Sequence, residues 1–449
     1  MVSASPTQVA RPGFLGFSGY HWVVIAAAWA GWGFDMYDAM LFNFAAPNCV
    51  PLLLGLQPGS PAAHAATVFW TGALTSMLLV GWAAGGVLFG WLADRIGRKR
   101  ALLATVLVYA TGTALCAFAT QLWQLIAFRV FASLGIGGEW GIGVALVAEA
   151  VPENKRVEAG VILQTSSPLG VVLASTVNYL IAGVWFAGTP QTSWRYVFLA
   201  GLVPVVLALA IRLFVRESSH WTAEVARERP PSPRELFGEN ILKLTISGAG
   251  AAVVAVITWW ACNAFVPLLG STLATEHAAQ LGLPADATRL LSETWKSRAS
   301  NYFNFGGLAG SIAAIALSRM MGRRPMLVSY FLFSAIMLFV TFGLDLAPST
   351  RLVMLFLVGA GVYGVFGTFT FYLPELFPTR LRATGSGFCY NIGRLVAAFG
   401  PLFVGVVSSR AGGSSAVLGQ TLLWVGLIPL IGALTARYFI VETRNRPLS

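Results

Sequence analysis

The sequence predicts an all-α membrane protein: twelve transmembrane helices arranged as two pseudo-symmetric halves of six. Three observations predict it. The first is composition. Of 449 residues, 56% are hydrophobic and only 10% are charged, against about 25% charged in soluble domains. No soluble fold of this size hides so much apolar surface, so the bilayer must act as its solvent. The second is segmentation into twelve apolar stretches, each near the roughly 20 residues that a spanning helix needs. They fall at about 20–46, 66–92, 101–120, 123–150, 158–184, 195–215, 243–268, 299–318, 326–345, 351–373, 384–408 and 418–441. The third is duplication.

Two pairs of motifs carry the duplication. Gly90-Trp-Leu-Ala-Asp94-Arg95-Ile-Gly97-Arg98-Lys99-Arg100 is echoed by Ser318-Arg319-Met-Met-Gly322-Arg323-Arg324-Pro325, and Gly97 and Gly322 lie 225 positions apart. Glu149-Ala-Val-Pro152-Glu-Asn-Lys-Arg156 is echoed by Glu375-Leu-Phe-Pro378-Thr-Arg380-Leu-Arg382 at an offset of 226. Two independent motifs agreeing to one residue imply two halves of six helices. The expected division is a segment at 1–19, a first half at 20–215, a linker at 216–242, a second half at 243–441 and a tail at 442–449.

Charge sets the expected orientation. The net charge of +11 sits in short clusters between apolar runs. That pattern reads as topology, and nucleic acid is not an expected partner. The connections after even-numbered spans hold the basic residues, and the connection from Pro47 to Ala65 holds none. Arg289, Lys296 and Arg298 are the exception among the odd connections. The positive-inside rule then places the basic loops, both termini and the linker in the cytoplasm of an integral membrane protein. The first 20 residues lack a signal peptide's basic start and cleavage site, so the first span is expected to be retained.

Several chemistries are excluded. Cys49, Cys116, Cys262 and Cys389 are scattered through apolar runs, with no metal or disulfide spacing. No phosphate-cradling loop, metal cluster or nucleophile elbow is present, so neither an enzyme nor a cofactor site is expected. Trp194 and Tyr196 read as anchors at a membrane interface.

The few ionisable groups inside the spans are informative, because a mid-bilayer charge costs about 2.5–3.5 kcal/mol even on insertion scales. Asp35 and Asp38 share one face of the first span. Neighbouring carboxylates disfavour joint ionisation, which suits a proton carrier. Arg129 in the fourth span stays charged and can fork onto a carboxylate. Glu139 lies on the same helix but on a different face. In the eleventh span Asn391 and Arg394 share a face, and a deep arginine beside an amide suits an organic carboxylate. Asn301 and Asn304 in the eighth span, with Gln164, Asn263 and Tyr363, are further candidates to orient a substrate.

Residues 90–100 resemble the loop motif of the major facilitator superfamily. Arg129-Val-Phe-Ala-Ser-Leu-Gly135 resembles its fourth-span motif. Pro374-Glu375-Leu-Phe-Pro378-Thr-Arg380 and Val441-Glu442-Thr443 resemble signatures of its sugar and organic-ion branches. Gly137-Gly138-Glu139-Trp140-Gly141 resembles the branch of metabolite, sialate and monocarboxylate proton symporters. The resemblance implies a monomeric symporter in a bacterial inner membrane. It would carry protons with a small organic carboxylate, such as a monocarboxylate, an aromatic acid or a sialic acid, by alternating access.

It also implies that Arg129 partners Asp35, and that Asp38 and Glu139 give secondary coupling. Asp94, Arg95, Arg98, Glu149, Glu375, Arg380 and Arg382 would latch the cytoplasmic gate. The second-half loop departs from the pattern, with Arg319 in the place of Asp94. A porter of sugars, polyols or organic cations is the alternative within the superfamily. A non-transporting membrane sensor is the alternative outside it.

Overall fold

A computed structural model describes residues 16–96, 98–152, 155–203, 205–206, 233–378, 381–412 and 414–444. Within these, the side chains of Asp94, Arg95, Arg98, Glu139, Glu149, Arg319 and Arg382 fall outside the description, as does the whole of Arg380. Among the described residues there are helices and connections but no strand.

Among the described residues the longer helices form twelve rods in chain order. The first four are Gly19–Leu53, Pro61–Ile96, Arg98–Cys116 and Leu122–Ala150. The fifth runs through Arg156–Gln164, Ser166–Asn178 and a π-helical Tyr179–Trp185, and the sixth is Pro190–Ala200. The seventh comprises Glu239–Asn263 and Val266–Gln280. The eighth is Ala285–Met321 and the ninth Arg323–Gly343. The tenth comprises Pro348–Val362 and Phe366–Leu376, the eleventh Arg382–Ala397 and Phe399–Arg410, and the twelfth Ser415–Val425 and Leu427–Phe439. Seven helical stretches among the described residues cross a membrane by length and apolar composition alone.

The rods overlap the twelve expected segments; the sixth, expected at 195–215, lies partly outside the described residues, and the seventh runs on to Gln280 rather than ending near 268. The eighth rod begins at Ala285, not near 299. Its first turns carry Arg289, Glu293, Lys296 and Arg298, and these charges masked the helix in the sequence. Glu293 and Lys296 sit one turn apart and neutralise each other, which lets the segment be buried. Trp194 is a further correction. It is almost fully buried, with its indole N–H donating to the Gln191 carbonyl, and is no interface anchor.

Four rods break where proline dictates. Helical segments end at Gln164, Asn263, Ala397 and Val425. Each lies four residues before a proline: Pro168, Pro267, Pro401 and Pro429. Proline has no N–H to return to the carbonyl four residues back, and its ring crowds that carbonyl. The tenth rod breaks without a proline, at Tyr363 to Val365 around Gly364. The breaks in the fifth, seventh, tenth and eleventh rods gather near the middle of the bundle.

Packing repeats between the halves. The second rod packs on the fourth and the first on the fifth. Likewise the eighth packs on the tenth and the seventh on the eleventh. Between halves, the second rod meets the eleventh and the fifth meets the eighth. The first of these crossings is very close: a Cβ on Gly72 would lie 2.3 Å from the Pro401 carbonyl oxygen. Ser76 also donates to the Ala398 carbonyl at the eleventh rod's break.

At the basic-loop end the eighth and ninth rods are joined by Gly322 alone, at φ 90°, a conformation that favours glycine. Glu442 covers the start of the ninth rod. Its carboxylate accepts from the backbone N–H of Arg323 at 3.0 Å and of Arg324 at 2.9 Å. Partial burial pushes the Glu442 carboxyl up, but N–H donors from Arg323, Arg444, Arg324 and Thr443 outweigh this and hold it below its ordinary 4.5. A lowered folded value means that the stabilisation is complete above pH 4.5 and is lost as the pH falls through the folded value. Replacing Glu442 with Gln is therefore expected to cost about 0.3–1 kcal/mol at pH 7. Thermal unfolding of both proteins in detergent checks this, and the difference should shrink as the pH is taken below 4.5.

Candidate functional site

The central cavity lies between the halves, where the broken rods meet. It is bordered by Trp32, Met36 and Trp82 from the first two rods and by Gln164 and Ser167 at the fifth rod's break. The second half contributes Trp259, Trp260, Tyr363, Phe366, Tyr390 and Arg394. A broken helix presents backbone and side chains to a cavity that a continuous helix would fill. Here the breaks bring Gln164, Ser167, Tyr363 and Phe366 to the wall.

Arg394 is the cation of this cavity. It is 4% exposed, and its guanidinium carbon lies 4.6 Å from the ring centres of both Trp82 and Tyr390. Its Nη1 donates to Asn391 Oδ1 at 3.4 Å. A guanidinium held between two ring faces keeps its charge and a fixed plane. Asp35, fully buried on the first rod, lies within electrostatic reach of it.

The rest of the wall is aromatic and continuous. Trp82 meets Trp260 edge to face at 5.9 Å, and Trp260 meets Trp259 at 4.7 Å. Trp259 meets Tyr363 at 5.1 Å, and Tyr363 meets Phe366 at 5.7 Å. Tyr363 donates its hydroxyl proton to Ser167 across the halves. The indole N–H groups of Trp82 and Trp259 are buried with no hydrogen-bond partner among the described residues. A small planar anion would find ring faces, two indole donors and one guanidinium here.

A second charged set sits beside the cavity. Arg129 Nη1 lies 3.4 Å from Asp38 Oδ2, and both residues are buried. Arg129 Nη2 donates to the backbone carbonyls of Asp38 and Ala39 at 3.3 and 3.2 Å. Thr113 donates to Asp38 Oδ1 at 2.5 Å. The expected Arg129–Asp35 partnership is thus corrected to Arg129–Asp38. The reason is the helix turn between the two acids. Asp38 faces the third and fourth rods, where Thr113 and Arg129 stand, while Asp35 lies within reach of Arg394.

The other expected residues divide. Arg394, Gln164 and Tyr363 line the cavity, and Asn391 supports Arg394. Asn263 is held by Met40 Sδ at 3.0 Å and Asn304 by the Ser300 carbonyl at 2.8 Å, both outside the wall. Asn301 accepts from Ser175 at 2.6 Å, away from the cavity. Glu375 forms a two-pronged pair with Arg323, at 3.0 and 2.7 Å, and accepts from Thr443 at 2.6 Å. The side chains of Glu139, Asp94, Arg95, Arg98, Glu149 and Arg382, and all of Arg380, lie outside the described residues. The tryptophans were missed. Their signal was position: Trp82, Trp259 and Trp260 fall inside spans, whereas interfacial tryptophans cluster at span ends.

Comparison with known families matches residues 23–401 to the Major Facilitator Superfamily. Among characterised relatives, a probable 4-methylmuconolactone transporter of Cupriavidus pinatubonensis is 31% identical over 87% of this chain and 85% of its own. The gentisate transporter of Corynebacterium glutamicum is 26% identical over 88% of this chain and 82% of its own. Among solved structures, the xylose transporter XylE from E. coli, in a partially occluded inward-open conformation, superposes with a TM-score of 0.71. It is 18% identical and covers 96% of this chain and 100% of its own.

The pairing of Arg129 has a stability consequence. Asp38→Asn leaves a buried guanidinium without its charge partner, an expected loss of about 3–5 kcal/mol. Thermal unfolding in detergent measures it. Replacing Asp38 and Arg129 together by Leu should recover most of that loss, and a cycle between Arg129 and Asp35 should show weaker coupling.

Proposed function

The chain belongs to the major facilitator superfamily, and on that premise we propose that it is a proton-coupled secondary transporter of small planar carboxylates, aromatic acids foremost. It is an integral membrane protein. The observation that carries the reading is Arg394, held between Trp82 and Tyr390 in an aromatic-walled cavity shared by both halves. A carboxylate takes the guanidinium fork, and a flat ring packs on the tryptophans. The indole donors of Trp82 and Trp259 suit a hydroxyl or carbonyl on that ring. The polyhydroxylated sialic acids, an initial expectation, fit so apolar a wall poorly. Two relatives, a gentisate transporter and a probable 4-methylmuconolactone transporter, support the class.

Coupling follows from charge balance. In the empty cavity Asp35 balances Arg394. A substrate carboxylate on Arg394 displaces that balance and leaves Asp35 as a buried anion. A buried anion without a cation is costly, so Asp35 takes a proton as the substrate binds. The occupied cavity is then neutral, and the halves can rock around it by alternating access. Asp38 and Arg129 already neutralise each other, so they serve as a fixed strut between the first and fourth rods.

At the basic-loop end, the Glu375–Arg323 pair is the latch on the second half, and residues Asp94 to Arg98 with Glu149 form its first-half counterpart. That end faces the cytoplasm, as do both termini, and the membrane is the bacterial inner membrane. The protein works as a monomer.

Two variants test the assignment in proteoliposomes. Asp35→Asn is expected to retain substrate exchange but lose accumulation driven by a pH gradient by about tenfold or more. Accumulation equal to the parent's would remove Asp35 from coupling. Arg394→Ala is expected to weaken benzoate binding at least about 100-fold by calorimetry, in a protein that still unfolds cooperatively. Retained benzoate affinity, or binding of sugars instead, would overturn the substrate class.

A further inference from the structure

The end of the molecule away from the basic loops is closed by a polar cluster that the coupling chemistry does not use. Glu293, on the eighth rod, is 5% exposed, and Lys296, one turn on, is 1% exposed. Lys296 Nζ lies 2.6 Å from Glu293 Oε1. The same carboxylate accepts two hydrogen bonds from the other half of the protein. Asn48 Nδ2, on the first rod, donates to Oε1 at 3.2 Å. Asn178 Nδ2, on the fifth rod, donates to Oε2 at 3.2 Å. Nearby, Arg289 donates to the Ala187 carbonyl, again from the eighth rod to the first half.

We propose that Glu293, Asn48 and Asn178 form the lock that holds the far side of the transporter shut, with Lys296 paired to the carboxylate inside it. The ion pair is internal to one helix, so it survives separation of the halves. Separation breaks the two amide-to-carboxylate bonds, together with the Arg289–Ala187 and Ser175–Asn301 bonds, and leaves the ion pair whole. Hydrogen bonds to an ion are stronger than those between neutral groups, and two of them from different rods fix one relative position of the halves. Both are reversible without moving a charge between the halves.

Lys296 is the cation that stands against Glu293. Asn48 and Asn178 are neutral, and Gly183 leaves room for the Glu293 Cβ. His277 stacks on Trp295, with ring centres 5.1 Å apart, and Arg289 is turned to Ala187. The proposed coupling at Asp35 and the far-side lock at Glu293 thus use different residues.

The inference rests on the alternating-access reading above, and its test separates the two. Spin labels go on Gln57→Cys and Leu283→Cys, exposed positions in far-end connections of the two halves, in the full chain reconstituted in nanodiscs. The four native cysteines are buried. Pulsed EPR distances are recorded with and without benzoate. Asn178→Asp sets a second carboxylate against Glu293 only when the far side is shut. It is expected to raise the long-distance population at least about fivefold over the labelled parent, and Asn48→Ala to raise it by a smaller factor. Simple destabilisation would lower the unfolding temperature without moving the distances.

A folded Asn178→Asp protein with the parent's distances overturns the lock. If that variant does not fold, Asn48→Ala carries the same test with the same two outcomes. A parent with one fixed distance, insensitive to benzoate, overturns alternating access and the lock with it. A parent that switches beside variants that do not shift overturns the lock alone.

Discussion

The cost of burying an ion governs this molecule. Each buried charge described within the spans has a nearby charge of opposite sign, and each set has a different reach. Asp38 and Arg129 join two rods of one half. Glu293 and Lys296 lie on a single helix and present one anion to amides of the other half. Asp35 and Arg394 come from different halves and lie within electrostatic reach of each other, with Arg394 on the cavity wall. Among the described sets, this is the one that borders the cavity. At the basic-loop end, Arg323 and Glu375 form a half-exposed pair, where water lowers the cost and the pair can open more cheaply.

Proline placement turns that electrostatic plan into a cavity. In four rods the helix stops at the residue whose carbonyl the proline cannot serve. Beside the eleventh rod's break, Ser76 donates to the Ala398 carbonyl across the halves. Gln164 ends one such segment, three residues before Ser167, and both border the cavity. The second and eleventh rods approach closely at Gly72, beside the eleventh rod's break.

Much of this was legible in the sequence. Hydropathy and two repeats gave the twelve spans, because a spanning helix cannot avoid its apolar composition. Arg394 stood out because a lone cation in an apolar run needs a reason. The choice between Asp35 and Asp38 was not legible. Both lie on the first rod's inner side, and the decision belongs to Thr113 and Arg129 on other rods. The eighth rod's beginning was hidden because Glu293 and Lys296 cancel only in three dimensions, while a hydropathy average counts each as a penalty. The aromatic wall was underread for a related reason: Trp82 and Trp259 look like packing until a cavity is known to lie beside them.

The single residue between the eighth and ninth rods also has a mechanical meaning. With no slack at Gly322, the two helices cannot slide past one another. The eighth rod is 37 residues long, about 55 Å at 1.5 Å per residue. Glu293 sits near one end of this lever and the Arg323–Glu442 anchor near the other. A few degrees of tilt at the pivot become ångströms at the tip, so a small rotation suffices to part short-range bonds. One stiff shaft thus ties the two ends of the protein together.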